Sequence, residues 1–201
     1  LASVVATNEM GGDLHYVRQG DPKGLGHAVL RAKRHVGDEA FAVLLGDDLI
    51  DEKEDLLARM VEVQERTGGS VVALMEVPRE AISAYGAAAI EAVEGEDGFV
   101  KITGLVEKPA ADEAPSNYAV IGRYVLSPKV FEVLENTAPG RGNEIQLTDA
   151  MERLLAEEEM YALVIDAEEG CDTGTPAAWA ATNARMALSD QSSAAAFKEA
   201  L

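Results

Sequence analysis

The sequence predicts a protein of the α/β class with a parallel sheet, and two observations support this prediction. Residues 41–45 and 71–74 are short apolar runs, with the length of strands buried on both faces. Residues 51–66 lie between these runs and carry apolar residues at helical spacing. Because a strand, a helix and a second strand follow one another, we expect βαβ units, which build parallel sheets.

The same two patterns assign the remaining elements in order along the chain. Apolar, β-branched and aromatic runs bounded by Gly, Pro or Asp indicate strands at residues 14–18, 41–45, 70–77, 84–92, 99–106, 118–126 and 161–165. Amphipathic spacing with flanking Gly or Pro indicates helices at residues 28–34, 51–66, 129–136, 150–159, 177–188 and 194–201.

Composition excludes several classes of partner. The chain of 201 residues has 36 acidic and 17 Lys or Arg side chains, a net charge of −19. This charge argues against nucleic acid and against anionic membrane surfaces, both of which attract basic faces. The sequence has no apolar run long enough for a transmembrane helix. Cys171 is the single cysteine, so no internal disulfide can form and we expect a cytoplasmic protein.

Two carboxylates follow the apolar run at residues 41–45. Gly46, Asp47 and Asp48 lie where that strand is expected to end. Ligands of open α/β sheets bind just beyond strand ends, and paired acids there could hold a divalent cation against a polyphosphate. The alternative is that Asp47 and Asp48 only terminate the strand, as Asp does in many turns.

A glycine-rich loop, residues 19–27, lies between a predicted strand and a predicted helix. Such a loop can direct backbone N–H groups toward an anion or a flat base. The amide of Gln19 donates and accepts hydrogen bonds, so it could pair with uracil or thymine, or it could be an ordinary polar residue.

Two further groups of residues have equally open local interpretations. Glu107 and Lys108 precede Pro109 and could both reach one ligand, or they could form a surface charge pair. Asp172 precedes a glycine turn and could be a metal ligand or an acid at a helix entrance.

Six segments, in order along the chain, together resemble the bacterial UTP–glucose-1-phosphate uridylyltransferases, or UDP-glucose pyrophosphorylases. The segments are QGDPKGLGHA (19–28), VLLGDDLI (43–50), VEKP (106–109), AVIGRYVL (119–126), EIQLTDA (144–150) and DTG (172–174). The resemblance implies a three-layer α/β/α sandwich with a mixed, mostly parallel sheet, lacking its N-terminal part. It implies the reaction of UTP with glucose 1-phosphate, assisted by Mg²⁺, to give UDP-glucose and pyrophosphate.

The resemblance also implies roles for residues that match the family's motifs. Gln19, Gly24 and Gly26 would hold the uracil, and Asp47 and Asp172 would bind the metal.

On the acceptor side, Lys108 would contact the sugar-linked phosphate and, with Asp47, serve catalysis. Glu107 would accept hydrogen bonds from glucose hydroxyls, and the backbone at Gly86 and Gly122 would meet the sugar.

The resemblance further implies an incomplete nucleotidyltransferase domain over residues 1–188. Residues 189–201 would be a C-terminal tail at a subunit contact of a homodimer or homotetramer.

The chain departs from the family pattern in ways that leave alternatives open. Gly46 and the segment at residues 172–175 are closer to glucose-1-phosphate thymidylyltransferases. Residues 1–19 contain no counterpart of the family's Gly-x-Gly-Thr-Arg phosphate loop. We therefore expect no turnover from residues 1–201 alone, and a non-catalytic sugar-nucleotide-binding protein is a further alternative.

Overall fold

The computed structural model describes residues 14–50, 55–166, 170–190 and 193–200. The strands within these ranges are β1 (Phe41–Leu44), β2 (Asp48–Ile50), β3 (Ser70–Glu76), β4 (Gly86–Ala92), β5 (Val100–Glu107), β6 (Tyr118–Leu126), β7 (Met160–Ile165) and β8 (Gly170–Asp172). Residues 14–18 form no strand, so that prediction is wrong, whereas each of the other predicted strands has a counterpart.

Each predicted helix also has a counterpart among the described residues, with boundaries displaced by a few residues, and residues 51–54 and 201 of the predicted helices lie outside this description. The helices are α1 (Leu25–Arg31), α2 (Lys33–Val36), α3 (Leu56–Thr67), α4 (Val130–Glu135), α5 (Leu147–Leu154), α6 (Pro176–Ser189) and α7 (Ala194–Ala200). Short 3-10 helices cover Arg79–Ala84 and Arg141–Asn143. No helix in the described ranges combines the length and the apolar character needed to cross a bilayer.

Six strands form one sheet in the order β1-β6-β3-β7-β5-β4, and β2 pairs with β8 separately. Only β3 and β7 pair in parallel among the described strands, and the other pairs are antiparallel. The prediction of a mixed sheet is confirmed, but the prediction of a mostly parallel one is wrong for these strands. The reason is that β6 lies antiparallel between β1 and β3, so the two strands joined through α3 are not neighbours.

Helices pack on both faces of this sheet. Alternate residues of β3 point to opposite faces. Val71 and Ala73 pack in a core with Met60 of α3, while Val72 and Leu74 belong to a second core to which α1, α4 and α5 contribute. The arrangement leaves the loops at the strand ends free to carry ligand-binding groups.

β1 differs from the expectation of a strand buried on both faces. It is the end strand of the described sheet and pairs with β6. Its residues alternate between half-buried and exposed, and the side chain of Leu44 is 52% exposed. The apolar run of residues 41–45 therefore predicted the strand correctly but not its burial.

Candidate active site

The first part of the site is the turn at residues 45–48, directly after β1. The Leu45 N–H donates to the Gly122 carbonyl at 2.9 Å, and the Gly122 N–H donates to Oδ2 of Asp48 at 2.7 Å. A Cβ added at Gly122 would collide with Oδ2 of Asp48 and lie 2.6 Å from Cβ of Leu45. Only glycine allows β6 to approach the turn this closely. Asp48 therefore has a structural role in the turn, and Asp47 is left exposed beside it.

Asp172 comes close to the same turn through the backbone. β2 and β8 pair antiparallel with Asp48 opposite Asp172. The N–H and the hydroxyl of Thr173 both donate to the Asp47 carbonyl, at 2.7 and 2.8 Å. The structure thus joins the two sequence segments that carry the predicted metal ligands. It describes the backbone of Asp172 but not its side chain.

The donor set at this turn suits Mg²⁺. Carboxylate oxygens are hard ligands, and Mg²⁺ at nucleotide sites is commonly held by one or two carboxylates together with substrate phosphates. Within the described residues no group of three His, Cys, Asp or Glu side chains could enclose a metal. Two carboxylates, Asp47 and Asp172, would leave most coordination positions of a Mg²⁺ ion to substrate phosphates and water.

The second part of the site lies at the end of β5. Glu107 is 11% exposed and Lys108 is 45% exposed, and Lys108 Nζ lies 3.6 Å from Oε1 of Glu107. Lys108 has a φ of 43°, which is unusual for a residue with a side chain. Its N–H donates to the Tyr85 carbonyl at 3.0 Å, and Arg141 Nη1 donates to its carbonyl. These contacts hold a kinked backbone just before Pro109, where the Glu107 and Lys108 side chains lie side by side.

Gly86 lies beside this pair. It is the register partner of Glu107 in the β4–β5 ladder. A Cβ added at Gly86 would lie 3.0 Å from Oγ1 of Thr148 and 3.5 Å from Oε2 of Glu107. The structure therefore brings together Gly86 and Glu107, two of the three residues predicted to face a sugar, and adds the Thr148 hydroxyl to them, whereas Gly122 lies against the turn at residues 45–48.

The acids of the turn at residues 45–48 (the acid turn) and the acid at the end of β5 both affect the pKa of Tyr124. Burial raises the pKa of the Tyr124 phenol, and the negative charges of Asp48, Glu107 and Asp47 raise it further. The Tyr124 hydroxyl consequently stays protonated at neutral pH. The carboxylates of both places thus contribute to the electrostatic environment of one phenol on β6.

A second shifted group belongs to the acceptor side. Burial raises the pKa of Asp149, the charge of Glu107 raises it further, and Arg153 opposes the shift. Asp149 is in the first turn of α5, one residue after Thr148. This turn therefore adds an acid beside the predicted sugar-binding residues.

The third part of the site is the loop of Gln19, Gly24 and Gly26. Nε2 of Gln19 donates to the Gly24 carbonyl at 3.0 Å and lies 2.9 Å from Nδ1 of His27. The Gly26 N–H donates to the Ile145 carbonyl at 2.9 Å, and the Ile145 N–H donates to the Lys23 carbonyl at 2.7 Å. These two backbone bonds fix the loop against the segment that precedes α5.

Both glycines of this loop are needed for the close contact. Gly24 has a φ of 99°, and its Cβ would lie 2.8 Å from the Ile145 carbonyl. At Gly26 a Cβ would lie 2.8 Å from both that carbonyl and Cδ2 of Leu134. In the described residues, no side chain or backbone group donates to the Gln19 side-chain oxygen. That oxygen could accept the N3–H of a uracil.

A short stretch of chain links this loop to the sugar-side residues. Ile145 contacts Gly26, and Thr148, three residues later, contacts Gly86. Arg141, four residues earlier than Ile145, contacts Lys108. Residues 141–148 therefore connect the predicted base-binding loop with the predicted phosphate- and sugar-binding residues.

Sequence analysis missed several residues of the site. The segment containing Arg123 and Tyr124 was recognised, but only Gly122 was given a role. Thr148 and Asp149 lie just before the predicted helix at residues 150–159 and have no predicted role. Their positions beside Gly86 and Glu107 depend on strand pairing and helix packing, which local patterns do not reveal.

Comparison with known proteins decides the family. Residues 3–188 match the family described as nucleotidyl transferase. The chain belongs to this family. Among curated relatives, the UTP–glucose-1-phosphate uridylyltransferase of Streptococcus pneumoniae serotype 4 is 49% identical over 153 residues, or 74% of this chain. That of Staphylococcus haemolyticus is 41% identical over 178 residues, or 89% of this chain.

Solved structures give the same result. A UDP-glucose pyrophosphorylase complexed with UDP-glucose is 40% identical, with a TM-score of 0.79, over 86% of this chain and 65% of that one. The UTP-bound enzyme from Acinetobacter baumannii is 32% identical, with a TM-score of 0.81, over 98% of this chain and 70% of that one. The family resemblance inferred from the six segments is confirmed.

The nucleotidyl transferase chain is shorter than its curated relatives. It covers 51% of the Streptococcus pneumoniae protein and 61% of the Staphylococcus haemolyticus protein. It therefore spans about half to three fifths of the length of these relatives, and the activity of the whole protein is argued separately below.

Proposed function

We propose that the protein transfers a uridylyl group from UTP to glucose 1-phosphate, giving UDP-glucose and pyrophosphate. The observation that carries this proposal is the backbone pairing that brings the segments of Asp47 and Asp172 together at one turn. At the end of β5, Lys108 lies beside the carboxylate of Glu107. The site thus offers carboxylates for a metal and for sugar hydroxyls, and a cation for phosphate.

In this reaction a phosphate oxygen of glucose 1-phosphate attacks the α-phosphorus of UTP. The bond from that phosphorus to the bridging oxygen breaks, and pyrophosphate leaves. The attacking phosphate is already ionised, so no side chain must accept a proton. The protein contributes by placing two polyanions in line and by offsetting their charge.

The residues divide this task between the two substrates. Gln19 pairs with the uracil edge, and Gly24 and Gly26 let the loop approach the base closely. Asp47 and Asp172 hold Mg²⁺, which offsets the charge of the triphosphate when bound.

On the acceptor side, Lys108 contacts the phosphate of glucose 1-phosphate. Glu107 accepts hydrogen bonds from glucose hydroxyls, and the backbone of Gly86 and Gly122 borders the sugar. The 3.6 Å separation of Lys108 Nζ from Glu107 supports this division, because one ligand can reach both groups.

The proposal extends to the architecture of the whole protein. Helices on both faces of the sheet support a three-layer α/β/α sandwich. Two large apolar side chains of α6, Trp179 (58% exposed) and Met186, are exposed, and α7 contacts α6. This apolar surface supports residues 189–201 as part of a subunit contact in a homodimer or homotetramer.

Two nucleotides, UTP and dTTP, are candidate donors of the transferred nucleotidyl group. Gly46 and residues 172–175 resemble the thymidylyl enzymes. A putative glucose-1-phosphate thymidylyltransferase from Bacillus anthracis is also similar in structure, with a TM-score of 0.69 at 25% identity. The higher identity of the uridylyl relatives favours UTP.

The test follows pyrophosphate release by the full-length protein with glucose 1-phosphate, Mg²⁺ and either UTP or dTTP. We expect a preference for UTP, with UDP-glucose as the product. In Lys108→Met we expect kcat to fall about 10²- to 10³-fold, the cost of removing one preorganised group at a developing charge. A preference for dTTP would assign the thymidylyl reaction, and binding of UDP-glucose without any product would assign a non-catalytic binding protein.

A further inference from the structure

Arg123 makes an unusual set of contacts with the acid turn. Its Nη1 donates to the carbonyls of Leu45 at 3.2 Å and Gly122 at 2.9 Å, and its Nη2 donates to the carbonyl of Asp48 at 2.7 Å. Leu45 and Asp48 bracket the turn that carries Asp47. One guanidinium therefore ties both ends of the turn to β6.

Gly122 and Thr173 also bond the turn, through Leu45, Asp48 and the Asp47 carbonyl. A Cβ added at Gly46 would meet no atom within 4 Å, so this part of the turn is not packed. The bond from the Asp48 N–H to the Leu45 carbonyl is long, at 3.4 Å. Shape and packing thus do not fix the direction of Asp47, and polar contacts must do so.

A guanidinium suits this task because its planar fork presents several N–H groups at fixed angles. A lysine ammonium at the same position could bond one carbonyl well but could not span the turn. Arg123 itself is half-buried on β6.

We propose that Arg123 is a positioning residue that fixes the Asp47 carboxylate in the direction needed to bind the metal of the nucleotide complex. The proposal rests on the metal-binding role of Asp47 given above. Arg123 acts through the backbone carbonyls of the turn and not through contact with the nucleotide. This distinguishes it from an arginine that binds phosphate directly, which would also strengthen UTP binding without metal.

The experiment measures UTP affinity of the full-length protein by calorimetry, once with Mn²⁺ and once with chelator. The ratio of the two affinities is the coupling between metal and nucleotide. In Arg123→Met and Arg123→Lys we expect this ratio to fall about 10- to 100-fold, as for groups that orient metal ligands. We expect the UTP affinity in chelator to stay unchanged.

Arg79 supplies the matched control. It is also half-buried, and its guanidinium donates to the carbonyls of Ala114 at 2.8 Å and Ser116 at 3.1 Å and to Oδ1 of Asn117 at 3.3 Å. In Arg79→Met and Arg79→Lys we expect the wild-type ratio. Circular dichroism identifies the folded variants, and Arg123→Lys keeps the charge and the aliphatic stem if Arg123→Met does not fold.

Three results would overturn the inference in distinguishable ways. An unchanged ratio in a folded Arg123 variant would show that the turn does not need this side chain. A loss of UTP affinity in chelator would assign Arg123 to direct phosphate binding. If the wild-type protein itself showed no binding of UTP with Mn²⁺, the proposed function would fail, and this inference with it.

Discussion

Two loops with proposed ligand-binding roles are held in different ways. The loop at residues 19–26 is fixed by backbone bonds, from Gly26 to Ile145 and from Ile145 to Lys23. The turn at residues 45–48 has backbone bonds to Gly122 and Thr173, and side chains add to them, since Arg123 bonds its carbonyls and Asp48 bonds the Gly122 N–H. The first kind of contact requires small residues, whereas the second requires particular functional groups.

The glycines of the two loops accordingly differ in how much space surrounds them. Gly26 has no room for a Cβ, because the Ile145 carbonyl and the Leu134 side chain lie at 2.8 Å from that position. Gly46 has open space around it. A glycine in a ligand-binding loop is therefore informative about geometry only when its surroundings are known.

The largest expected effect concerns Asp47 in the turn at residues 45–48. In Asp47→Asn we expect kcat to fall about 100-fold or more, because loss of metal charge at the triphosphate costs several kcal/mol. We expect the melting temperature to stay near that of the wild type, because Asp47 is exposed and its structural bonds use the backbone carbonyl. Steady-state kinetics and thermal unfolding of the same preparation check both. A drop in melting temperature as large as the drop in rate would mean that Asp47 is structural.

The second prediction compares the two glycines directly. In Gly26→Ala we expect a loss of about 1–3 kcal/mol in the free energy of unfolding, the usual cost of overpacking. In Gly46→Ala, the matched control, we expect a change within about 0.5 kcal/mol. Urea unfolding measures both. Equal losses in the two variants would contradict the distinction between the loops.

The third prediction concerns Arg141, whose side chain contacts the backbone of Lys108. Arg141 donates to the Lys108 carbonyl and supports its left-handed backbone. In Arg141→Ala we expect KM for glucose 1-phosphate to rise about fivefold, equivalent to one hydrogen bond of about 1 kcal/mol, with little change in KM for UTP. Arg66→Ala, which removes an exposed arginine paired with Glu96, is the control. A rise in KM for UTP alone would place Arg141 elsewhere in the mechanism.

The smallest expected effect is a pH dependence of stability on the acid-rich side. Burial and Glu107 raise the pKa of Asp149, so the folded state binds this proton more tightly than the unfolded state does. The proton then stabilises the folded protein at low pH, and this contribution is lost as pH rises from the unfolded value of about 3.9 through the raised pKa.

Asp149→Asn tests this by removing the charge. We expect the stability of the variant relative to wild type to increase as pH rises from about 4 to 7, where the wild type is ionised. Asp38→Asn, at an exposed position, controls for the loss of one negative charge. Urea unfolding across this range would contradict the prediction if the difference between variant and wild type were constant.

Local patterns were sufficient for the elements of the sheet and insufficient for its arrangement. β6 was predicted with its observed bounds, Tyr118–Leu126, because its apolar run and flanking turns are both local features. The antiparallel insertion of β6 between β1 and β3 is a contact between distant parts of the chain. The same insertion explains why the prediction of a parallel pairing for β1 is wrong.

The candidate site was predictable to a similar degree. Family motifs assign roles to Gln19, Asp47 and Lys108, because their residue types match the chemistry of base, metal and phosphate, and these roles stay predictions. Arg123 has no such signal, because its contacts depend on the position of β6 beside the turn. The predicted metal ligand Asp172 was brought to that turn through backbone pairing with Asp48.

The most direct measurement of the central claim is a crystal structure of the full-length protein with UDP-glucose and a divalent cation. The account predicts the uracil on Gln19 and the Gly24–Gly26 backbone, the glucose hydroxyls on Glu107, and the phosphates at Lys108. Uracil bound at the turn of residues 45–48, or a ligand that leaves both loops empty, would contradict the assignment of one loop to the base and the other to the metal.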